Sequence, residues 1–429
     1  MRFPNPILLL AALSWLASAC DRGRPERVSG PIAQEAYVWQ REWGPAVAAA
    51  IAEHGTEFQQ LTYLAGELRW SQGVGKLERV DPDYAALRRL PHPVGLALRV
   101  ATLPGPFASN APTTQWVVQS ALQVVTEARA HGLEPSEFQL DFDCATRHLE
   151  GYRQWAESLR AALAPLPFRI TVLPAWLSDA RFAGLARSTD GFVLQVHSLE
   201  RPKGANAPFA LCDPRLARDA VERAARLGVP FRVALPTYGY LVAFAADGSF
   251  LGASAEGAMP ARPPGTRFRE LSANAADMAW LVADWTRDRP ASMTGLIWYR
   301  LPVAGDRFNW RWPTLASVMR GIPPVAQLQE IVVTNSNGSL DLVVRNSGTD
   351  LFHGAVTLHA RWNSEQSRLL AADAVRGFKL HSEPIGTVRL ENPSCRLPPG
   401  DAVVIGWVRF DRSAPVSLEL HFHPVPSTP

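Results

Sequence analysis

From Ala36 to Gly321 the chain alternates β-rich apolar runs with stretches of helical period, and few architectures accept that alternation. It predicts a parallel sheet joined by crossover helices. The runs read as strands are Tyr37 to Glu42, Leu61 to Leu68, Val94 to Val100, Phe138 to Asp143, Phe168 to Leu173, Gly191 to His197, Phe231 to Pro236 and Gly295 to Leu301. Helices are clearest at Gln115 to Ala130, Leu149 to Leu163, Asp213 to Leu227, Ala273 to Thr286 and Thr314 to Arg320. Asp213-Pro214 reads as an N-cap followed by proline at the first helical position, and Leu227-Gly228 as a glycine stop. Eight such units, over residues 35–321, predict an α/β fold of the closed (β/α)8, or TIM-barrel, type.

Beyond Gly321 the pattern changes. Ile322-Pro323-Pro324 reads as a linker, and residues 322–429 read as a small β-sandwich. Its strands are Gln329 to Val333, Ser339 to Val344, Ala355 to Trp362, Thr387 to Leu390, Ala402 to Phe410 and Val416 to His423. Two domains also suit a length of 429 residues.

At the other end, Arg2 precedes the apolar run Ile7 to Leu16 and then Ala17-Ser18-Ala19-Cys20. The run is too short to span a membrane and reads as an export signal. It resembles a bacterial lipoprotein signal over residues 1–20, although leucine falls one position early, at Leu16. The resemblance implies acylation of Cys20, a membrane partner through that lipid and residence in the cell envelope. A plain secretory peptide with a chance cysteine is the alternative. Residues 21–34 then form a polar tether. Export brings Cys144, Cys212 and Cys395 into an oxidising compartment, where Cys144 and Cys212 are the candidate pair and buried thiols the alternative.

The formal charge is +3, and lysine occurs only at Lys76, Lys203 and Lys379. No basic cluster points to nucleic acid, so none is expected as a partner. Neither a glycine-rich phosphate loop nor a G-x-S-x-G elbow is present, and no cofactor is expected. Fourteen tryptophans and seven tyrosines suit a sugar-stacking surface and equally an ordinary core.

In such a barrel, function sits at the carboxyl ends of the strands. On the fourth strand, alternation places Gln139, Asp141 and Asp143 on one face and Leu140 and Phe142 on the other. With the apolar face on the helices, both carboxylates point inward, where they must be paired, protonated or in use. Arg41, Arg69, Arg99 and Arg300 lie near other strand ends, so a buried salt-bridge layer is one reading of the pair.

Several strand ends, taken in order, resemble the family 18 glycoside hydrolases, the chitinase-like barrels. The family's fourth strand carries D-x-x-D-x-D-x-E, and here those four positions hold Phe138, Asp141, Asp143 and Ala145. Its sixth strand ends in M-x-Y-D, against Gln195-Val196-His197-Ser198. Its seventh reads G-x-P-x-Y-G, against Ala234-Leu235-Pro236-Thr237-Tyr238-Gly239. An insertion follows in the family, matched by Leu241 to Glu270, and the eighth strand ends near a tryptophan, matched by Trp298 or, one residue along, Tyr299. The family's glutamate protonates the glycosidic oxygen. Ala145 cannot do so, and the standard mechanism is therefore not supported. A membership in an uncharacterised family of bacterial lipoproteins is also suggested.

Three classes of function remain. An active glycosidase would use Asp143 or Asp141 with a second carboxylate, Glu67, Glu200 or Glu256. A glycan-binding barrel would stack sugars on Trp39, Trp176, Tyr238 and Trp298 or Tyr299, with Arg99, Gln195 and His197 as hydrogen-bonding groups. An envelope scaffold would leave the polar mouth as a paired core. A metal site of His197, Asp141 and Asp143 lacks any supporting ligand motif. The expectation adopted is an envelope lipoprotein whose barrel binds an amino-sugar glycan or peptidoglycan, with hydrolysis an open alternative.

Overall fold

The computed structural model describes residues 25–101, 103, 105–198, 202–255, 262–383 and 386–425. Cys20 and the export signal lie outside the described residues, as do Glu200 and Glu256. By internal contacts the chain forms two units, Met1–Asn274 with Ala283–Asn309, and Ala275–Val282 with Trp310–Pro429.

The first unit is built on eight parallel strands: β1 Ala33–Val38, β2 Gln60–Ser71, β3 Val94–Val100, β4 Phe138–Phe142, β5 Phe168–Val172, β6 Phe192–Gln195, β7 Phe231–Pro236 and β8 Met293–Tyr299. Each pairs with the next, and β8 pairs with β1, which closes the barrel. Within it the strands alternate with helices α1 Pro45–His54, α2 Tyr84–Arg88, α3 Pro112–Ala130, α4 Leu149–Leu163, α5 Phe182–Arg187 and α6 Pro214–Ala225; α7 Ala275–Arg287 is divided between the two units, and α8 Trp312–Met319 belongs to the second.

Local sequence explains the best-formed elements. Helix α4 buries Leu149, Tyr152, Trp155, Ala156, Leu159 and Leu163, the spacing of one helical face. Helix α6 begins where the Asp213 carboxylate accepts from the Arg215 and Leu216 amides at 2.8 and 3.2 Å. Gly228, at φ +66°, turns the chain after it. Strand β1 lies about four residues earlier than the sequence suggests, because Glu35 and Tyr37 face the interior while Trp39 and Arg41 lie beyond its end. Strand β2 runs on into an antiparallel hairpin with Val74–Arg79 across Gln72 and Gly73, both at positive φ. The insertion after β7 is a three-stranded antiparallel sheet of Gly239–Phe244, Phe250–Ser254 and Arg267–Ser272. Cys144, Cys212 and Cys395 are all buried thiols outside any disulfide, so the Cys144–Cys212 pair does not form.

The second unit contains two antiparallel sheets, consistent with the expected sandwich. One runs Leu328–Thr334, Ser339–Asn346, Ala402–Phe410, Leu369–Ala374, and the other Lys379–Ser382, Thr387–Leu397, Phe352–Arg361, Ser417–Pro424. Leu342, Val344, Leu358, Leu390 and Ile405 are fully buried at its centre. Leu369–Ala374 and Lys379–Ser382 escape the sequence reading because they are edge strands with little burial to pattern them.

Candidate functional site

Strand β4 sets the site. Its outward Phe142 stacks on Trp155 of α4 with ring centroids 5.4 Å apart, which turns Gln139 and Asp141 into the barrel. Strand register then aligns Glu67 of β2, Arg99 of β3 and Asp141 of β4 in one row. The Thr171 hydroxyl donates to Asp141 Oδ1 at 2.7 Å, and Arg99 Nε lies 3.8 Å from Oδ2. Burial and the neighbouring Asp143 push the Asp141 carboxyl up to about 6, against the pull of Arg99. Asp143, exposed just past the strand end, is also raised by desolvation, with Arg99 opposing. Glu67 has a different fate. Arg41 donates to Glu67 Oε1 through Nε at 3.0 Å and Nη2 at 2.5 Å, and Arg69 reaches Oε2 at 3.4 Å. That clamp holds Glu67 in the strand row and off the cavity wall.

Above the row lies a cavity of about 550 Å³. Its other wall is aromatic. The Tyr299 ring stacks on His197 at 5.5 Å and meets Trp39 at 5.4 Å and Tyr238 at 5.3 Å. A chain of hydrogen bonds runs behind it, from Ser198 Oγ to the Tyr240 hydroxyl at 2.9 Å, to the Tyr238 hydroxyl at 3.1 Å and to His197 Nδ1 at 3.3 Å. His197 is 3% exposed, and burial lowers its imidazole to about 3, so it is neutral. Two buried ring nitrogens on this wall, His197 Nε2 and Trp39 Nε1, have no hydrogen-bond partner among the described residues. Gln195 also lines the cavity and donates to the His197 carbonyl at 3.4 Å.

The eighth strand is phased so that Tyr299, not Trp298, faces the cavity. Trp298 points out of the barrel, where its Nε1 donates to Gln34 Oε1 at 2.7 Å. Trp176 is likewise not a stacking platform, because it is buried among Tyr152 and Phe182 of the helical layer. Asp141, Asp143, Trp39, Arg99, Gln195, His197, Tyr238 and Tyr299 are brought together, and Glu67, Trp176 and Trp298 are not. Sequence reading missed Thr171 and Tyr240. Both were open to strand alternation, since Thr171 is two residues after the inward Arg169 and Tyr240 two after Tyr238.

A buried salt-bridge layer does exist, but below the cavity. Arg232 of β7 bridges Glu35 of β1 and Glu137, with its Nη2 2.6 Å from Glu137, and Arg169 Nε reaches Glu137 at 2.8 Å. Gln60 also donates to Glu137 at 2.9 Å. Although burial opposes it, these guanidinium groups hold Glu137 below the usual carboxylate range. Between this layer and the cavity sit Leu64, Ala97, Val193, Ala234 and Ile297, whose small members leave the space above them open. Among the described residues, no group of three His, Cys, Asp or Glu side chains could hold a metal ion.

The model of a domain of unknown function, DUF3142, matches residues 97–304, from within β3 to just past β8 and just under half of the chain. No curated protein matches the sequence. Similar solved structures include a chitinase from Chromobacterium violaceum, 17% identical with a TM-score of 0.46, covering 68% of this chain and 98% of that one. The spore cortex-lytic enzyme SleL of Bacillus cereus is 12% identical with a TM-score of 0.48, covering 68% of this chain and 75% of its own. A chitinase from Bacteroides thetaiotaomicron is 13% identical with a TM-score of 0.45, covering 63% and 90%. The fold itself rests on the closed parallel strand pairing and the two C-terminal antiparallel sheets.

Proposed function

We propose that the barrel binds a glycan containing amino sugars, with one sugar ring in the cavity beside Asp141 and Asp143. The observation that carries this is the pairing of an aromatic wall with buried, unpartnered nitrogens at His197 and Trp39. A pyranose presents C–H faces that stack on rings and hydroxyls that satisfy donors and acceptors together, and it suits such a wall. An apolar ligand would leave those nitrogens unsatisfied at a cost of about 1–3 kcal/mol each.

Hydrolysis is the second reading, and the raised carboxyls favour it. A general acid needs its carboxyl raised in that direction. Asp143, exposed at the cavity mouth, would be that acid in place of the residue missing at Ala145. We place the protein in the envelope, tethered through acylated Cys20. Peptidoglycan and exported polysaccharide are the glycans within its reach there.

The test uses chain beginning at Asp21, which retains the pairing of Arg27–Val28 with Arg289–Pro290. Chitin, peptidoglycan and bacterial polysaccharide fragments are titrated against it by calorimetry, with chromatography of the mixtures for products. Binding without products removes hydrolysis, and products lost in Asp143→Asn establish it. Absence of binding to every glycan leaves an envelope scaffold as the reading. Fatty-acid labelling of the full chain, lost in Cys20→Ala, tests the anchor; labelling that persists in the variant would overturn it.

A further inference from the structure

The cavity leaves donors unsatisfied on its aromatic wall and at Arg99, beside the acceptor carboxylate of Asp143. Trp39 Nε1 can only donate, and His197 Nε2 donates when the Tyr238 hydroxyl gives its proton to Nδ1. Arg99 adds the largest share. Its side chain lines the cavity and is 38% exposed, its Nε stands 3.8 Å from Asp141, beyond hydrogen-bonding distance, and it makes no hydrogen bond among the described residues. Arg41 and Arg300 also line the cavity, but Arg41 is clamped on Glu67 and Arg300 donates to Asp306 at 2.5 Å, so the guanidinium with hydrogen-bonding capacity to spare is that of Arg99. Asp141 already accepts from Thr171.

Neutral hydroxyls can satisfy the two ring nitrogens. An open guanidinium fork has a more specific complement, the planar carboxylate, which it takes through two parallel hydrogen bonds. Resting on the glycan reading above, we propose that the glycan is acidic and that Arg99 receives one of its carboxylates. Two sugar chemistries supply such a group: the lactyl ether of muramic acid, and a uronic acid.

The test compares wild-type chain on four probes by calorimetry. These are the disaccharide of N-acetylglucosamine and N-acetylmuramic acid, a tetrasaccharide alternating N-acetylglucosamine with glucuronate, and each of them with its carboxyls reduced to alcohols. One acidic probe should bind at least about tenfold more tightly than its reduced form, and which one does so identifies the source. Arg99→Gln should remove that preference, and Arg99→Lys should restore part of it. Equal affinity for acidic and reduced probes overturns the inference and leaves the glycan reading standing. So does full preference in an Arg99→Gln protein that melts like wild type. Failure of wild type to bind any of the four overturns both. Should Arg99→Gln not fold, the wild-type comparison of acidic with reduced probe still decides.

Discussion

Asp141 is kept in a place where its charge is costly. Its ordinary carboxyl titrates near 3.8 and in the fold near 6, so the native state binds the proton more tightly than the unfolded chain. The stability linked to that proton is complete below about pH 4 and is lost as the pH rises through 6, amounting to about 3 kcal/mol above it. Asp141→Asn should therefore melt higher than wild type at pH 7.5, with the gap closing toward pH 4 in thermal unfolding followed by circular dichroism. Glu35, lifted to about 7 mainly by burial, tilts both curves in the same direction, so their difference reports Asp141 together with its effect on the neighbouring Asp143. Equal melting at pH 7.5 would show that Arg99 and Thr171 already compensate the charge. His197 makes an opposite prediction. Buried and neutral above about pH 3, it should impose no imidazole titration on glycan binding between pH 5 and 8. His197→Ala should weaken that binding by about tenfold, the worth of one hydrogen bond of about 1 to 1.5 kcal/mol. An inflection near pH 6.5 that His197→Ala abolishes would contradict the burial. At this scale period-two alternation made Asp141 and Asp143 legible before any coordinates. It could not phase Trp298 against Tyr299, where one residue of slip exchanges inside for outside, nor distinguish the helical-layer Trp176 from a ring at the mouth.

One level up, the barrel is organised as a charged layer, a thin apolar layer and a polar cavity, and β4 contributes to the first and last. Glu137 is the hub of the lowest layer, engaged by Arg232, Arg169, Gln60 and Gln139. Replacing it with glutamine leaves two guanidinium groups facing one remaining carboxylate, Glu35, in a buried setting. Breaking such a network by removing one partner costs about 3–5 kcal/mol, so Glu137→Gln should lower the urea midpoint by that much stability. A loss below about 1 kcal/mol would mean that water enters the layer. Gly95 borders the same layer, where an added Cβ would stand 2.6 Å from Thr62 Oγ1 and 2.9 Å from Gln60 Nε2, and Gly95→Val should disturb the network from its side. The elements most legible from sequence were those with their own signals, the apolar face of α4 and the Asp213 cap of α6. The hairpin after β2 was not, because its Gln72-Gly73 turn lacks the usual Asn-Gly pair. The lower layer was missed for a related reason: its charges come from β1, β5, β7 and the residue before β4, and they meet only when the barrel closes.

At the scale of the whole molecule, the proline pair Pro323-Pro324 reads as a divider, yet its surroundings tie it to both neighbours. The Thr314 hydroxyl in α8 donates to the Thr349 carbonyl at 2.6 Å, and the Ser317 hydroxyl to Ile322 at 3.0 Å. Beyond the prolines, the Val325 amide donates to Thr349 Oγ1 at 3.1 Å, and Gly348 sits so close that a Cβ would fall 2.3 Å from the Val325 carbonyl oxygen. Contacts accordingly group Trp310 onward with the C-terminal sheets. A fragment Trp310–Pro429 should then be more stable than one beginning at Pro323. The shorter piece loses helix α8 together with the hydrogen bonds from Thr314 to Thr349 and from Ser317 to Ile322, bonds worth about 1 kcal/mol each. Denaturant unfolding of the two fragments should separate by roughly 1–2 kcal/mol, at equal dependence on denaturant if the core of Leu342, Val344, Leu358 and Ile405 is intact in both. Coincident unfolding curves would place the functional boundary of the sandwich at the prolines and make α8 part of the barrel's own cycle of strands and helices.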